Sequence, residues 1–287
     1  MKLFYEPILS VMPPGSIYFG GTDPGRFLIT MMNDVTGSGV FCLSQNSLAD
    51  WTYLSHLRFV YGEQIWLPSA EESSGALSQL IEEFRAGRHP NIDITITNAR
   101  VHITGPLAVM EINSIIAQRI FDNNKDKHEF YIQQSYEMKR LHPYLEPCGL
   151  IMKLTPSANI TEDVIAKDMA FWANHIELLE QQPGFASNPA ARLSFAILRS
   201  GIAGLYVDHE MYEPAETAFQ QALRLDPSSV EATFRYSGTL MRQGKTNETL
   251  NVFRAFLTHS SSNSTNDPTI KSAQRYIEHL SAQPPPE

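Results

Sequence analysis

The feature that most constrains the fold is a 34-residue repeat in the C-terminal part of the chain. Four pairs of apolar residues lie 34 positions apart: Ile202 with Tyr236, Tyr206 with Leu240, Phe219 with Phe253, and Leu223 with Leu257. A repeat of this length is a helical hairpin that cannot bury its apolar face alone, so successive copies must stack. The spacing therefore predicts stacked hairpins at about residues 196–229 and 230–263.

The first copy resembles the tetratricopeptide repeat (TPR) family. The positions that carry the resemblance are Ile202, Ala203, Tyr206, Tyr212, Ala215, Phe219, Ala222 and Pro227, with Phe253 as the counterpart of Phe219 in the second copy. The second copy is less regular, since Thr249, Phe256 and Ser261 stand where the first has Ala215, Ala222 and Pro227. The resemblance implies close helix packing at the small residues, and a concave surface that binds a protein or peptide.

Helical periodicity extends over the whole C-terminal half, which is predicted to be one all-α domain at 157–282. Thr161 precedes two acidic residues and fits a helix N-cap, and a final amphipathic helix at 268–280 fits a solvating cap. Residues 283–287 are predicted to be a tail.

The N-terminal half, residues 1–156, alternates short β-rich runs with helical patterns. Runs at 16–19, 39–44 and 64–68 each precede a helix, which favours parallel pairing, and residues 93–104 read as a hairpin that extends or flanks the sheet. Two more strand candidates lie at 129–133 and 149–154, and Asp50 and Pro106 fit the starts of helices. The predicted fold class is therefore α/β: a layered, mostly parallel, Rossmann-like sheet domain followed by the TPR-like helical domain.

A glycine-rich loop follows the first predicted strand. Ligands of open α/β sheets bind beyond the carboxyl ends of strands, so this loop and polar residues after the second strand form a candidate site for a sugar or an anion. The candidate residues are Gly20, Gly21, Thr22, Asp23, Gly25, Arg26, Gln45, Asn46, Asp50 and Tyr53. The alternative is a plain turn, in which the glycines supply positive φ and Asp23 caps the next helix.

Catalytic and cofactor motifs are absent from the sequence. No phosphate-binding loop, dinucleotide fingerprint or nucleophile elbow occurs, and carboxylate pairs such as Glu82-Glu83 fit a solvated helix face. His142, Glu146 and Cys148 lie close in sequence, but two prolines among them favour an irregular loop over a metal site. Catalytic residues stay unknown, and neither a cofactor nor a metal is predicted.

Charge and hydropathy limit the partners and the compartment. A net charge of −9 and a pI near 5.5 disfavour nucleic acid, and two cysteines are too few for a disulfide framework. The first residues carry no secretion signal, and no later run of about 20 apolar residues would span a bilayer. The chain as written is expected to be soluble, and cytoplasmic if it is complete.

Residues 13–27, 43–53, 109–113 and 148–153 together resemble the soluble C-terminal part of bacterial multi-spanning membrane proteins related to GT-C type glycosyltransferases. The resemblance covers nearly the whole chain, but the membrane bundle expected to transfer the sugar is missing. It implies an extracytoplasmic fragment at the inner membrane, with a membrane-embedded glycosyltransferase-like subunit as partner. The leading hypothesis is a non-catalytic recognition module; the alternative is a glycosyltransferase domain that helps to bind donor or acceptor.

Overall fold

The chain forms two units, Met1–Ile160 and Thr161–Glu287, in a computed structural model that describes residues 1–21, 24–89, 91–97, 100–134, 138–260 and 267–282. The boundary lies four residues beyond the expected 156/157. Each unit has its own set of buried apolar side chains. The units are described separately below.

The described residues of the N-terminal unit form five α-helices: α1 Lys2–Ser10, α2 Ile29–Thr36, α3 Trp51–Tyr61, α4 Ala70–Arg85 and α5 Pro106–Asn124. A π-helical turn, Pro24–Leu28, leads into α2, and 3-10 turns cover Gln45–Ser47 and Lys139–Tyr144. Local sequence explains where the helices begin. Asp50 caps α3 as predicted, Ser69 and Glu72 form a reciprocal capping box on α4, and Pro106 opens α5.

The part of this unit that the structure describes also has seven short strands: β1 Ile17–Gly20, β2 Phe41–Ser44, β3 Asp93–Thr97, β4 Arg100–Thr104, β5 Phe130–Ile132, β6 Leu145–Cys148 and β7 Ile151–Leu154. Five of them form one sheet in the order β2-β1-β5-β7-β6. β1 is parallel to β2 and to β5, whereas β7 is antiparallel to both β5 and β6. β3 and β4 form a separate two-stranded sheet, and their predicted turn at 98–99 lies outside the described residues.

The predicted layered, mostly parallel, Rossmann-like domain is wrong, because the chain is mostly helical and its main sheet is small and mixed. One cause is the segment 64–68, which was predicted to be the third parallel strand. The backbone of Trp66 instead pairs with the side chain of Asn124 on α5, through an N–H···Oδ1 bond of 2.8 Å and an Nδ2–H···O bond of 2.9 Å. An asparagine side chain thus satisfies the groups that a neighbouring strand would have used.

A second cause is the antiparallel pair β6 and β7, of which only β7 was predicted. Pro147 argues against a strand within a sheet interior, but β6 is an edge strand, where a missing N–H is tolerated. The hairpin at 93–104 also forms its own sheet rather than adding strands to the main one.

The opposite edge of the sheet is covered by two tyrosines from α3. Tyr61 Oη accepts the backbone N–H of Cys42 and donates to its carbonyl, both at 3.1 Å, and Tyr53 Oη accepts the N–H of Ser44 at 2.6 Å. These are outward-facing groups of the edge strand β2, which would otherwise be open to pairing with another strand. Tyr53 and Tyr61 therefore close the sheet at this side.

The C-terminal unit consists of six described helices: α6 Glu162–Glu180, α7 Pro189–Asp208, α8 Tyr212–Leu225, α9 Val230–Arg242, α10 Thr246–Ser260 and α11 Pro268–Ser281. The hairpin α9–α10 repeats α7–α8 at a distance of 34 residues, since Asp208 and Arg242 end the first helices and Tyr212 and Thr246 begin the second ones. Most of the predicted packing positions are buried: Ile202, Ala203, Tyr206, Ala215, Phe219, Ala222 and Phe253. Tyr212 and Pro227 are half-buried, and the predicted tail 283–287 lies outside the described residues.

Among the described residues one helix, Pro189–Asp208, is long and apolar enough to cross a membrane by length and composition. Of its most apolar window, 61% is buried inside the protein. Burial of this kind is typical of a core helix in a globular unit, and α7 packs against both α8 and α9.

The turns within the two hairpins share one backbone conformation. Glu210 has φ 58° and Gly244, 34 residues later, has φ 72°, and the next amide in each turn donates to an equivalent carbonyl, Tyr206 or Leu240. Left-handed φ strains a residue with a Cβ, whereas glycine adopts it freely. We expect Glu210→Gly to raise the free energy of unfolding by up to about 1 kcal/mol, and Gly244→Ala to lower it by about 1 kcal/mol. Urea denaturation measures both, and a loss of stability in Glu210→Gly would contradict the shared turn geometry.

Candidate functional site

The predicted loop site lies at the end of β1, where the chain goes to the strand on one side and later returns to the strand on the other side. From β1 the chain passes to β2 on one side and later returns to β5 on the other, and all three strands are parallel. In open α/β sheets the carboxyl ends of strands at such a point are the place where ligands bind. Gly20 ends β1, Gln45 follows β2, and Gln133 follows β5.

Gly21 connects the ends of these strands. Its backbone N–H donates to Gln133 Oε1 at 2.9 Å, and its carbonyl accepts from Asn46 Nδ2 at 3.3 Å. A Cβ at position 21 would lie 2.6 Å from Gln134 Oε1, so glycine is required for this approach. Side-chain amides from the ends of β2 and β5 thus surround the backbone of Gly21.

The glycines of the loop serve close packing rather than positive φ. None of Gly20, Gly21 and Gly25 has a left-handed φ, so that part of the turn interpretation is wrong. A Cβ at Gly25 would lie 1.7 Å from Gln133 Oε1, and the Gly25 carbonyl accepts a bond from buried Tyr18 Oη at 3.1 Å. The loop therefore lies directly on the side chain of Gln133.

Other predicted site residues have structural partners. Asp50 Oδ1 accepts the N–H of Thr52 at 2.8 Å, the Tyr53 hydroxyl binds the edge of β2, and the guanidinium of Arg26 lies 4.4 Å from the ring centre of Phe27. Burial raises the pKa of Tyr53 above its ordinary value, which keeps the hydroxyl protonated. Thr22 and Asp23 lie outside the described residues.

Gln45 differs from these residues because its side chain is fully buried and neither Nε2 nor Oε1 makes a hydrogen bond. A buried polar atom without a partner costs about 1–3 kcal/mol, and most buried amides in folded proteins are paired. No such partner of Gln45 is present among the described residues. The sequence named Gln45 only as a residue at a strand end, and its burial could not be predicted from that position.

A polar cluster of the same unit was not predicted. Glu83, expected on a solvated face, is 9% exposed; it contacts His89 Nε2 at 2.9 Å and Gln79 Nε2 at 3.0 Å, and it pairs with Arg140. Arg140 Nε also donates to Glu111 Oε1 at 2.6 Å. Oxygen and nitrogen atoms of Glu83, His89 and Glu111 lie within 4.8 Å of one another, as metal ligands would, but a guanidinium already bridges the two carboxylates.

A pocket and a groove lie among the described residues of the C-terminal unit. A pocket of about 270 Å³, here called the α7/α9 pocket, is lined by Gly204, Val207, Asp208, Phe219, Phe234, Arg235, Gly238, Thr239 and Arg242. A groove of about 540 Å³ lies over α8, α9 and α10, and is lined on its apolar side by Leu223, Pro227, Val252, Ala255 and Phe256.

Two glycines 34 residues apart line the α7/α9 pocket for different reasons. A Cβ at Gly204 would lie 1.6 Å from Arg235 Nη2, so glycine there makes room for the guanidinium. A Cβ at Gly238 would meet no atom within 4 Å, and Gly238 is exposed inside helix α9. Packing therefore explains Gly204 but not Gly238.

Sequence reasoning missed several residues that line these features. Gln133 ends the predicted strand 129–133 and Gln134 follows it, so the argument that named Gln45 applied to both residues. Gly238 and Arg242 are the repeat counterparts of Gly204 and Asp208, and the 34-residue spacing was the available signal.

No protein-family model matches the chain, and no curated protein sequence matches it.

Proposed function

We propose that the C-terminal unit is a non-catalytic recognition module that binds an extended segment of a protein partner in the α7/α9 pocket. The observation that carries this proposal is Gly238. A glycine inside a helix costs about 1 kcal/mol relative to alanine, and no neighbouring atom requires one at this position. Its effect is to leave the backbone of α9 accessible within the pocket.

The chemistry of the pocket favours a segment with a carboxylate. Arg242 is exposed and has no ion-pair partner among the described residues, while Arg235 pairs with Glu231 at 2.9 Å. Phe219 and Phe234 supply apolar surface beside these cations. An acidic side chain or a terminal carboxylate would bind Arg242, and an adjacent apolar side chain would cover the aromatic rings.

The resemblance to TPR proteins supports this kind of partner, because stacked helical hairpins expose extended concave surfaces. The resemblance to GT-C related membrane proteins suggests where the segment comes from, namely a membrane-embedded glycosyltransferase-like subunit. Under this proposal the chain recognises that subunit and does not itself transfer a sugar.

Selection of random 12-residue peptides on the purified full chain tests the proposal. We expect enrichment of peptides with an acidic residue next to an apolar one, and an affinity at least about tenfold weaker for Arg242→Glu, since a charge pair becomes a repulsion. Arg254→Glu is the matched control, because Arg254 is also exposed on a helix and has no ion-pair partner among the described residues. Equal loss in both variants, or no enriched peptide, would contradict the proposal.

A further inference from the structure

We infer that the α7/α9 pocket also binds a segment of the chain itself, residues 283–287 with the sequence Gln-Pro-Pro-Pro-Glu, which a partner must displace. This inference rests on the proposed function, because it gives the same pocket a second, internal ligand. Segment 283–287 follows α11 directly and lies outside the described residues. Its support comes from the position of α11, the charge of the pocket and the sequence of the segment.

The end of α11 lies close to the pocket. Phe234 lines the pocket, and its ring centre is 6.1 Å from that of Tyr276 on α11. In the alternating order of stacked hairpins, α9 and α11 both pack on α10 and run in the direction opposite to it. From the contact between Phe234 and Tyr276, α9 continues for about 12 Å to Arg242 and α11 for about 9 Å to Ala282, at about 1.5 Å per residue.

The remaining distance is within reach of five residues. Packed helices lie about 8–10 Å apart. Five residues in a polyproline II conformation, which consecutive prolines favour, span about 15 Å. The side chain of Glu287 can therefore reach Arg242.

The pocket is complementary to this segment in charge and in apolar surface. Arg235, Arg242 and Asp208 line it, so cations outnumber anions there although the whole chain has a net charge of −9. Arg242 is exposed and makes no ion pair in the part of the chain that the structure describes, and the carboxylate of Glu287 would supply one. The prolines would cover the half-buried ring of Phe234, since proline-rich segments bind aromatic surfaces.

Attachment to α11 makes this binding intramolecular. A short linker gives an effective concentration on the order of 1 mM, so a dissociation constant of about 0.1 mM would leave the pocket about 90% occupied. A partner would then bind about tenfold more weakly than it binds the empty pocket. Residues 283–287 would therefore regulate the recognition module, because only a segment that binds well enough displaces them.

Zero-length crosslinking of the full chain tests the contact directly. A carbodiimide joins an amine to a carboxylate only when the two groups touch, and Arg242→Lys supplies the amine while it keeps the positive charge. We expect mass spectrometry of the crosslinked monomer to find residue 242 joined to Glu287. Arg254→Lys is the matched control, because Arg254 is also exposed on a helix, and it should give no link to Glu287. Absence of the link at residue 242, an equal link at residue 254, or a link found only in dimers would overturn the inference.

The affinity for a selected acidic peptide measures the competition. Glu287→Lys should bind the peptide at least about fivefold more tightly than wild type, because repulsion from Arg242 keeps the segment out of the pocket. Glu278→Lys makes the same charge change at an exposed position of α11 and should bind like wild type. Equal affinity in wild type and Glu287→Lys would also overturn the inference. A link between residues 242 and 287 without any enriched peptide would support the inference and contradict the proposed function, whereas enriched peptides without the link would do the reverse.

Discussion

Replacing Asp168 with alanine is expected to lower the free energy of unfolding of the C-terminal unit by about 3–5 kcal/mol. Asp168 Oδ2 lies 2.6 Å from Arg199 Nη1 and accepts a bond from Tyr206 Oη at 2.8 Å. The Arg199 side chain is fully buried, so removing the carboxylate leaves a cation without its counter-ion in the interior. Burial lowers the pKa of Arg199, but a guanidinium stays charged near neutral pH, and the cost cannot be avoided by losing a proton.

Two comparisons separate this ion pair from ordinary packing. The double replacement Asp168→Leu with Arg199→Met should be far less destabilising than either single replacement, because it removes both charges. Glu180→Ala breaks an exposed pair with Arg224 at 2.6 Å and should cost less than about 1 kcal/mol. Urea denaturation followed by circular dichroism measures the wild-type chain and each of these variants. A cost for Asp168→Ala no larger than that for Glu180→Ala would show that the buried pair does not form.

Acid is expected to destabilise the N-terminal unit through Glu83. Burial would raise the pKa of this carboxyl, but hydrogen bonds from His89, Arg140 and Gln79 outweigh burial and lower the pKa from 4.5 to about 2. Because the folded pKa lies below the unfolded one, the stabilisation is fully present above about pH 4.5 and is lost as the pH falls towards about 2. A difference of roughly two to three pKa units corresponds to roughly 3 kcal/mol at neutral pH.

The measurement is the melting temperature of the wild-type chain and of Glu83→Gln between pH 7 and pH 2. We expect Glu83→Gln to be less stable at pH 7, and the difference from wild type to shrink steadily below pH 4.5. Glu82→Gln is the control on the adjacent, more exposed position, and it should follow the wild-type curve. A constant difference between wild type and Glu83→Gln across this range would contradict the ion-paired state.

The helical elements could be predicted because their signals are local. The 34-residue spacing placed both hairpins, and Asp50 and Pro106 marked helix starts through capping chemistry that depends on a few neighbouring residues. The sheet depended on distant partners. Nothing near Trp66 indicates that Asn124, 58 residues later, would bind its backbone. Pro147 argued against a strand at β6, because only the order of the whole sheet shows that β6 is an edge strand.

The candidate sites show the same division. Glycines and polar residues at strand ends were enough to name the loop, but the close approach of Gly25 to Gln133 depends on how β1 and β5 pair. The burial of Glu83 could not be predicted from its own helix, which presents glutamates on several sides. It depends on the partner Arg140, which lies in a 3-10 turn far along the chain. Gln45 became informative only when its missing hydrogen bonds were known.

The central claim, that a peptide binds across α7 and α9, is tested most directly by filling the α7/α9 pocket at Gly238. A Cβ at Gly238 would meet no atom within 4 Å, so Gly238→Leu should keep the stability of the fold or raise it by up to about 1 kcal/mol through helix propensity. The measurement is the dissociation constant of a selected peptide for wild type and for this variant, by fluorescence polarisation. We expect binding to weaken at least about tenfold with an unchanged or raised melting temperature. Equal affinity in a folded Gly238→Leu chain would contradict the claim.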